Sequence, residues 1–227
     1  NRIVFFTGAG MSAESGVPTY RGNGGIWNQY RWEEYACQKA FDNNPQAVLD
    51  FHELRRIEAL KCEPHLGHRI IQKVQNTFQN SFIITQNIDG MHQRALSNNI
   101  IELHGSIWRI RCDNEKLVYE DLKYGHYNKR KCKCGNWLRP DIVWFQDNLD
   151  KTTLEKAKTI ISKSELFISI GTSAVVWPAA GYAQFAKNIG VYCIEINPED
   201  TELSYIFDKR LKMKASSGLQ KLFEEYV

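Results

Sequence analysis

The chain lacks most features that mark a membrane, nucleic-acid-binding or repeat protein. No apolar stretch among its 227 residues approaches the ~20 residues that cross a bilayer, so we expect no membrane association. The net charge of +3 is too small to predict nucleic-acid binding by itself. There is no internal repeat and no low-complexity tract. The length allows one substantial core and a small appended module, as in an ordinary globular protein.

The placement of the cysteines favours metal or thiol chemistry. Among the six cysteines, Cys132 and Cys134 are separated by one residue. This spacing is more typical of metal or thiol chemistry than of a secretory disulfide framework. Cys37, Cys62 and Cys193 fall in predicted core elements, where a free cysteine behaves as a small hydrophobe. We therefore predict a cytoplasmic protein.

Short apolar runs alternate with helical stretches along most of the chain. The runs are continuously apolar, which predicts strands covered on both faces and hence an α/β fold with a parallel sheet between helices. The predicted strands are residues 3–6, 81–85, 100–103, 166–170 and 191–196. The predicted helices are residues 45–61, 64–77, 154–163, 178–188 and 216–226.

Two segments interrupt this alternation. Residues 22 to about 62 are rich in helix formers and aromatics, without a strand. Residues 106 to about 140 are charged, hold three cysteines and show little core-like periodicity. We interpret both as insertions that form a second, smaller lobe. The predicted division is a large lobe from 1–21, 66–104 and 141–227, and a small lobe from 22–65 and 105–140.

A glycine-rich segment follows the first predicted strand. The spacing Gly8-x-Gly10-x-x-Ala13 loosely satisfies the dinucleotide-binding fingerprint. Its glycines allow a sharp turn close to a ligand, and Ser12 is expected to cap a short helix whose N-terminus suits a phosphate. Pro18 then stops this helix. Alone the match is weak, because a plain strand-turn-helix joint has the same pattern and the usual ribose-binding acid is missing.

Small or polar residues follow every predicted strand. Ligands of open parallel sheets bind beyond the carboxyl ends of the strands, although one polar strand end is ordinary turn chemistry. Five such ends in one chain predict a site that contacts sugar, phosphate or carboxamide groups. The segments are 8–10, 85–90, 104–105, 171–173 and 197–198.

Six blocks of sequence match one protein family. In chain order they are GAGMSAESGVPTYRG, TQNIDGMH, ELHGS, LRPDIVWF, GTSAVVWPAA and EINPE. Through these blocks the chain resembles the sirtuins, the NAD-dependent protein lysine deacylases, in their bacterial form and over nearly its whole length. The resemblance implies a single catalytic domain with a large Rossmann-type lobe and a smaller helical lobe that contains a zinc ribbon.

The resemblance also implies an activity, in which the lysine acyl group passes to ADP-ribose and nicotinamide is released. His104 matches the histidine that activates a ribose hydroxyl, a task that suits a base with a free pKa of ~6.5. Asn87 matches the second catalytic residue, which orients the ribose and a water. Asp89 matches the partner of the nicotinamide carboxamide, and Gln86 is expected against the ribose. The remaining NAD-binding residues implied are Gly8, Ala9, Gly10, Ser12, Thr19, Arg21, Gly171, Thr172, Ser173 and Asn197.

Residues 50–56 bear on the acyl group. The desuccinylase and demalonylase branch of the family carries a Tyr-x-x-Arg pair, whose arginine binds the distal carboxylate of the acyl group. This chain has Arg55 at the arginine position but His52 at the tyrosine position. We expect His52 to donate a hydrogen bond to the substrate, more strongly when protonated, and Val143 and Phe145 to contact the substrate as well. A solvated Arg55-Arg56 pair on a helix face is the alternative, so acetyl, succinyl and malonyl groups all stay open.

The four-cysteine zinc site of the family is incomplete in this chain. Typical members present two cysteine pairs to one tetrahedral zinc, whereas this chain offers only Cys112, Cys132 and Cys134. Either another ligand completes the site, or the metal is lost and packing holds the ribbon. The candidates for a fourth ligand, besides water, are Asp113, Glu115 and His126.

Two other segments need interpretation. Family members have Gly-Glu after the phenylalanine of the VWF block, in a loop that pairs with the substrate backbone as an added strand. This chain has Gln146-Asp147, and we expect Gln146 to narrow or re-aim the loop. His65-x-x-His68 has a spacing that metals use, but the start of a packed helix is the better interpretation.

Two alternatives to deacylation stay open. One is a mono-ADP-ribosyltransferase or NAD glycohydrolase on the same scaffold, against which the presence of Arg55 argues. The other is an inactive NAD-sensing module, against which Asn87, Asp89 and His104 argue, since a sensor needs no base. The expected partners are acyl-lysine proteins or peptides, without nucleic acid or membrane, and the chain is expected to be a monomer.

Overall fold

The computed structural model describes residues 2–19 and 25–226. Within these residues the strands are β1 Ile3–Thr7, β2 Phe82–Thr85, β3 Ile100–Glu102, β4 Gly105–Cys112, β5 Leu117–Glu120, β6 Arg139–Ile142, β7 Leu166–Ile170, β8 Tyr192–Ile196 and β9 Lys209–Leu211. The larger sheet has six parallel strands in the order β3-β2-β1-β7-β8-β9. The smaller sheet is antiparallel, in the order β5-β4-β6.

The helices of the same residues vary from one turn to four. They are α1 Ala9–Ala13, α2 Trp32–Tyr35, α3 Gln38–Asn43, α4 Pro45–Leu60, α5 Leu66–Thr77, α6 Met91–Arg94, α7 Lys151–Ser162, α8 Gly181–Asn188 and α9 Ala215–Leu222. Short 3₁₀ helices cover Ile26–Asn28, Ser204–Ile206 and Glu224–Tyr226. None of the helices described here has both the length and the apolar character to cross a bilayer.

Helices pack on both faces of the larger sheet, as the continuously apolar strands predict. Phe5 and Phe6 are neighbours in β1, so their side chains point to opposite faces. Phe5 lies in one apolar cluster with Ile70 of α5 and Leu219 of α9, while Phe6 lies in another with Tyr182 of α8. Both phenylalanines are at most 1% exposed, which contributes roughly 1.5–3 kcal/mol each.

All five predicted strands occur in this sheet, with ends shifted by one residue at most. The sixth strand, β9, was missed because Lys209 and Arg210 are exposed and leave no apolar run. The helix predicted at 154–163 begins earlier, at Lys151, because the Asp150 carboxylate accepts a hydrogen bond from the Thr153 amide at 2.7 Å and caps it.

The expectation that residues 106–140 lack core-like periodicity is wrong for β4. Ile107, Trp108 and Ile110 of this strand are buried, and they share an apolar cluster with Phe41 of α3 and Leu49 of α4. The smaller sheet therefore packs on the helices of the other insertion.

Arg56 of α4 ties these two insertions together. Its guanidinium, with a side chain that is 0% exposed, pairs with the Asp121 carboxylate at 2.9 Å. It also donates to the carbonyls of Ile107 and Tyr124, at 3.1 and 2.6 Å. The group lies over the Tyr127 ring, 4.4 Å from its centre. A buried cation with this many partners fixes α4 against the ribbon.

Candidate active site

The carboxyl ends of β1, β2, β7 and β8 open into one cleft of about 1560 Å³. His104 lines it, together with the predicted substrate residues His52, Arg55, Val143 and Phe145. Of the predicted NAD-binding residues, those that line it are Gly8, Ala9, Gly10, Thr19, Gln86, Asn87, Gly171, Thr172, Ser173 and Asn197. Arg21 lies outside the described residues. The structure thus brings together residues from most of the sequence blocks that carry the family resemblance.

The glycines at the floor of the cleft let two loops touch backbone to backbone. The Gly8 amide donates to the Ile170 carbonyl at 3.0 Å, and the Gly10 amide donates to the Gly171 carbonyl at 2.9 Å. A Cβ added at Gly10 would lie 2.7 Å from the Gly171 Cα, and Gly171 itself has a φ of +58°. The glycine pattern therefore serves the contact between the β1 and β7 loops, and both of these amides are used in it.

Ser12 does not cap α1, contrary to the sequence-based expectation. The residue at the N-cap is Gly8, which offers no side chain, and Ser12 lies inside the five-residue helix. Its hydroxyl is buried and accepts a hydrogen bond from the Asn87 side-chain amide at 3.3 Å. Ser12 therefore lies behind the cleft and supports Asn87.

Asn87 and Asp89 are held in the loop that follows β2. The Asn87 side chain also donates to the Gly8 carbonyl at 3.0 Å. Asp89 accepts a hydrogen bond from the Met91 amide at 2.9 Å, and burial raises the pKa of its carboxyl. It lines a small pocket that shares Arg55 and Asn87 with the main cleft.

His104 is oriented as a base whose free nitrogen is Nε2. Its Nδ1 lies 2.9 Å from the Gln86 carbonyl, so Nδ1 carries the proton and Nε2 keeps its lone pair. Burial lowers the pKa of the ring, and the bond to the Gln86 carbonyl opposes this in part. The ring is therefore neutral at pH 7, the form that a general base requires.

His52 cannot be the hydrogen-bond donor that the sequence led us to expect. Its Nδ1 donates to the Val48 carbonyl at 2.7 Å, and its Nε2 accepts a hydrogen bond from the Trp144 indole at 3.2 Å. Burial lowers the pKa of His52 to about 4. Both nitrogens are engaged and the ring stays neutral, so the expected gain on protonation is also wrong.

Arg55 and Arg56, adjacent in sequence, have different surroundings. Arg56 is fully buried in the contacts described above, whereas Arg55 lines both the main cleft and the small pocket. The positive charge of Arg55 lowers the pKa of His52, although burial does so more. The solvated pair on a helix face is thus not what the structure shows.

The segment 143–147 forms a turn along the cleft. The Asp147 carboxylate accepts from the Trp144 amide at 3.1 Å and from the Arg139 guanidinium at 2.7 Å. Arg139 in turn stacks on the Trp144 ring, 3.7 Å from its centre. Gln146 has a φ of +71°, a conformation that glycine adopts most easily. Sequence reasoning missed Arg139 and Trp144 as supports, although both lie in the LRPDIVWF block.

The three predicted cysteine ligands come together. The sulfur atoms of Cys112, Cys132 and Cys134 lie within 4.8 Å of one another, and Cys112 and Cys134 are 3.6 Å apart. Zn–S bonds of 2.3 Å in a tetrahedron place sulfurs about 3.8 Å apart. The three thiols therefore fit a zinc ion.

Two of the proposed fourth ligands are engaged elsewhere. His126 bonds the Glu53 carboxylate at 2.6 Å, and Asp113 pairs with Arg111 at 2.8 Å. The Glu115 backbone amide donates to the Cys112 sulfur at 3.4 Å, so the residue lies beside the cluster, but its carboxylate is not among the ligand atoms grouped within 4.8 Å of one another. Among the described residues the structure therefore groups three thiols and no fourth protein ligand.

The His65-x-x-His68 pair begins a packed helix. His65 is the N-cap of α5, where its Nδ1 accepts a hydrogen bond from the Gly67 amide at 2.9 Å. Its Nε2 donates to the Met11 carbonyl at 2.6 Å. Both nitrogens of His65 are used, so this pair is not a metal site, and His65 instead anchors α1 below the cleft.

The comparisons with known proteins agree with this geometry. An NAD-dependent protein deacylase of Aquifex aeolicus is 45% identical over 226 residues, which cover 98% of this chain and 94% of the relative. An NAD-dependent protein deacylase 2 of Pyrobaculum aerophilum is 42% identical over 223 residues, 98% of this chain and 90% of the relative. A solved complex of a Sir2 homologue with NAD is 38% identical, with a TM-score of 0.91 over 100% of this chain and 89% of that one. A solved complex of Sir2 with a p53 peptide and NAD is 28% identical, with a TM-score of 0.85 over 99% of this chain and 93% of that one.

Fold and site together define an α/β protein with a Rossmann-like sheet, a cleft at the strand ends and a cysteine-bearing ribbon. Residues 8–178 match the Sir2 family, and the relatives are similar over nearly the full chain. The chain belongs to the Sir2 family.

Proposed function

We propose that this protein is an NAD-dependent protein lysine deacylase. The observation that carries the proposal is His104, a neutral, half-buried imidazole whose Nδ1 is held by the Gln86 carbonyl while its ring lines the cleft. The names of the relatives support it, as does the solved complex of a Sir2 homologue with 2'-O-acetyl ADP-ribose, which is 38% identical. An NAD-sensing module would need no such base.

The strand ends would hold NAD. Residues 8–10 line the cleft with small side chains, and Asn197, which also lines it, is held by donating to the Thr172 carbonyl at 2.8 Å. Asp89, in the small pocket beside Asn87, would receive the nicotinamide carboxamide. Bound NAD would supply an ADP-ribose acceptor for the acyl group, with nicotinamide as the leaving group.

The chain's own residues would orient the reactants and move one proton. His104 would take a ribose hydroxyl proton on Nε2 and hold it while Nδ1 stays bonded to the Gln86 carbonyl. Asn87, fixed by the Gly8 carbonyl and the Ser12 hydroxyl, would orient the ribose and a water. Val143 and Phe145 would contact the acyl-lysine peptide, and the segment around Gln146 would pair with its backbone.

The acyl group would contact Arg55, while His52 would donate no hydrogen bond to it. Arg55 lines the cleft and the small pocket, so its guanidinium would meet a carboxylate at the end of a succinyl or malonyl group. His52 contributes shape but no donor, because both of its nitrogens are engaged. We propose that acidic acyl groups are accepted alongside acetyl.

The further expectations from sequence stay proposals. The site residues would act as described above. The large lobe would comprise residues 1–21, 66–104 and 141–227, and the small lobe residues 22–65 and 105–140. The protein would act as a cytoplasmic monomer on acyl-lysine proteins or peptides.

Substitution of the base tests the proposal. His104→Ala is expected to lower deacylation of an acetyl-lysine peptide at least ~100-fold, the scale of a positioned base, while calorimetry shows NAD affinity within about threefold of wild type. His126→Ala, which changes an exposed histidine outside the cleft, serves as the control and should retain activity. Equal turnover in His104→Ala and wild type would remove His104 from the mechanism.

A further inference from the structure

A buried chain of hydrogen bonds runs from His92 to Asn87. The His92 Nε2 lies 3.0 Å from the Thr7 hydroxyl, and the Thr7 hydroxyl donates to the Thr85 hydroxyl at 2.8 Å. The Thr85 oxygen then accepts from the Asn87 backbone amide at 3.0 Å. All four residues are at most 7% exposed. These contacts are therefore shielded from water. A hydrogen bond is electrostatically stronger in such a buried environment than in water.

The two threonines sit where the strands meet the cleft. Thr7 and Thr85 are register partners at the last residues of β1 and β2. Gly8 and Gln86 follow them directly and line the cleft, and the Gln86 amide donates to the Thr7 carbonyl at 2.9 Å. The Thr85 hydroxyl is therefore bonded directly to a residue that lines the site, Asn87.

His92 takes part in this chain as a donor from Nε2. A hydroxyl has one proton, and Thr7 gives it to Thr85, so the contact with His92 requires Nε2–H as the donor. Burial lowers the pKa of His92 to about 3, and the ring carries no charge at neutral pH. His92 belongs to α6, whose first amide is bonded by Asp89. Helix α6 directly follows the loop that carries Asn87, the residue that His92 would position.

We propose that His92 is a positioning residue for the active site, which holds Asn87 in place through Thr7 and Thr85. The inference rests on the proposed deacylase function for its main readout. A displacement of about 1 Å at a reacting group can cost 100-fold in rate. A change that lets Asn87 move from its position should therefore lower kcat. The affinity for NAD, which depends on many other contacts, should change little.

His68 provides a matched control within the same buried cluster. Its ring centre is 5.0 Å from that of His92, and its side chain is 0% exposed. Neither of its ring nitrogens has a hydrogen-bond partner among the described residues. His68 thus contributes packing beside His92 without joining the chain of hydrogen bonds.

The experiment compares kcat and KM across five variants. We expect His92→Leu and Thr7→Val each to lower kcat about tenfold, with KM for NAD within about twofold of wild type. His92→Gln, which keeps a donor near the Nε2 position, should recover most of the loss, and His68→Leu should retain wild-type kcat. The double variant His92→Leu/Thr7→Val should cost no more than either single change, since both break one chain.

Three outcomes would overturn the proposal: kcat within twofold of wild type in His92→Leu, equal losses in His92→Gln and His92→Leu, or an equal loss in His68→Leu. Nicotinamide release from NAD without peptide is measured in parallel. If the wild type removes no acyl group, the proposed function fails. The same variants ranked by nicotinamide release then still decide the role of His92.

Discussion

The Trp144 indole nitrogen donates a hydrogen bond to Nε2 of His52, across 3.2 Å, inside the wall of the cleft. The two residues are 92 positions apart. With Nδ1 of His52 bonded to the Val48 carbonyl, the imidazole has neither a donor nor an acceptor left for a ligand. His52 thus contributes only its volume to the wall of the cleft, and in our proposal the recognition of acidic acyl groups would fall to Arg55.

The first prediction concerns the acyl preference. The ratio of kcat/KM for succinyl-lysine and acetyl-lysine peptides should stay within about twofold between pH 8 and pH 6, because the pKa of His52 is lowered to about 4 by burial. Arg55→Met should lower that ratio about 10- to 100-fold, as a hydrogen bond to a charged group is worth roughly 1.5–3 kcal/mol. A ratio that rises steeply toward pH 6 would show that His52 does reach the substrate.

The second prediction concerns the Arg56 clamp. Arg56→Met should lower the free energy of unfolding by about 3–5 kcal/mol, because it leaves Asp121 buried without its cation. Lys61→Met is the matched control on the same helix end. Lys61 is 64% exposed and pairs with Glu58 on the surface, so its loss should cost less than about 1 kcal/mol. Equal costs in urea denaturation would contradict a central role for Arg56.

Much of the large sheet followed from local signals in the sequence. Residues 3–6 and 166–170 form strands because each run is apolar on both faces. This pattern can be recognised from the run itself, without knowledge of the residues that pack against it. The cleft followed too, since polar strand ends meet at one edge of a parallel sheet. The features that the sequence did not predict depend on contacts between residues that are distant along the chain. Nothing in the segment around Arg55 and Arg56 tells which guanidinium is buried, because Asp121 lies 65 residues further along.

The errors have different causes. Ser12 was expected as a cap, but α1 is five residues long and starts at the residue after Gly8. The donor role expected for His52 failed because its partner Trp144 could not be foreseen. The alternation of β4 was missed because Arg109 and Arg111, between its buried residues, made the segment look merely charged.

The third prediction follows from the buried histidines. Burial lowers the pKa of His68 well below 6.5, so its protonation favours the unfolded chain. The stability that its neutral form contributes is complete above pH 6.5 and is lost as pH falls below it. His68→Leu should remove this loss, reducing the slope of unfolding free energy between pH 6.5 and 5 by about 1.4 kcal/mol per pH unit. Parallel slopes for the variant and wild type in urea titrations would argue against it.

The fourth prediction concerns the ribbon. With three thiols as the ligand set that the described residues bring together, purified protein should hold less than one zinc per chain after dialysis against a chelator. Glu115→Cys should complete a four-cysteine site and raise the retained zinc toward one per chain. Asp113→Ala serves as the control, since Asp113 pairs with Arg111 instead. Stoichiometric, chelator-resistant zinc in the wild type by elemental analysis would show that the present ligands already suffice.

The central claim is that the cleft transfers a lysine acyl group to ADP-ribose. The most direct measurement is a mass balance by mass spectrometry, after incubation of the wild-type protein with NAD and an acetyl-lysine peptide. We predict one nicotinamide for each lysine freed, with the acyl group recovered on ADP-ribose. Nicotinamide release with free ADP-ribose and a peptide that keeps its acyl group would contradict the account, as would ADP-ribose attached to protein.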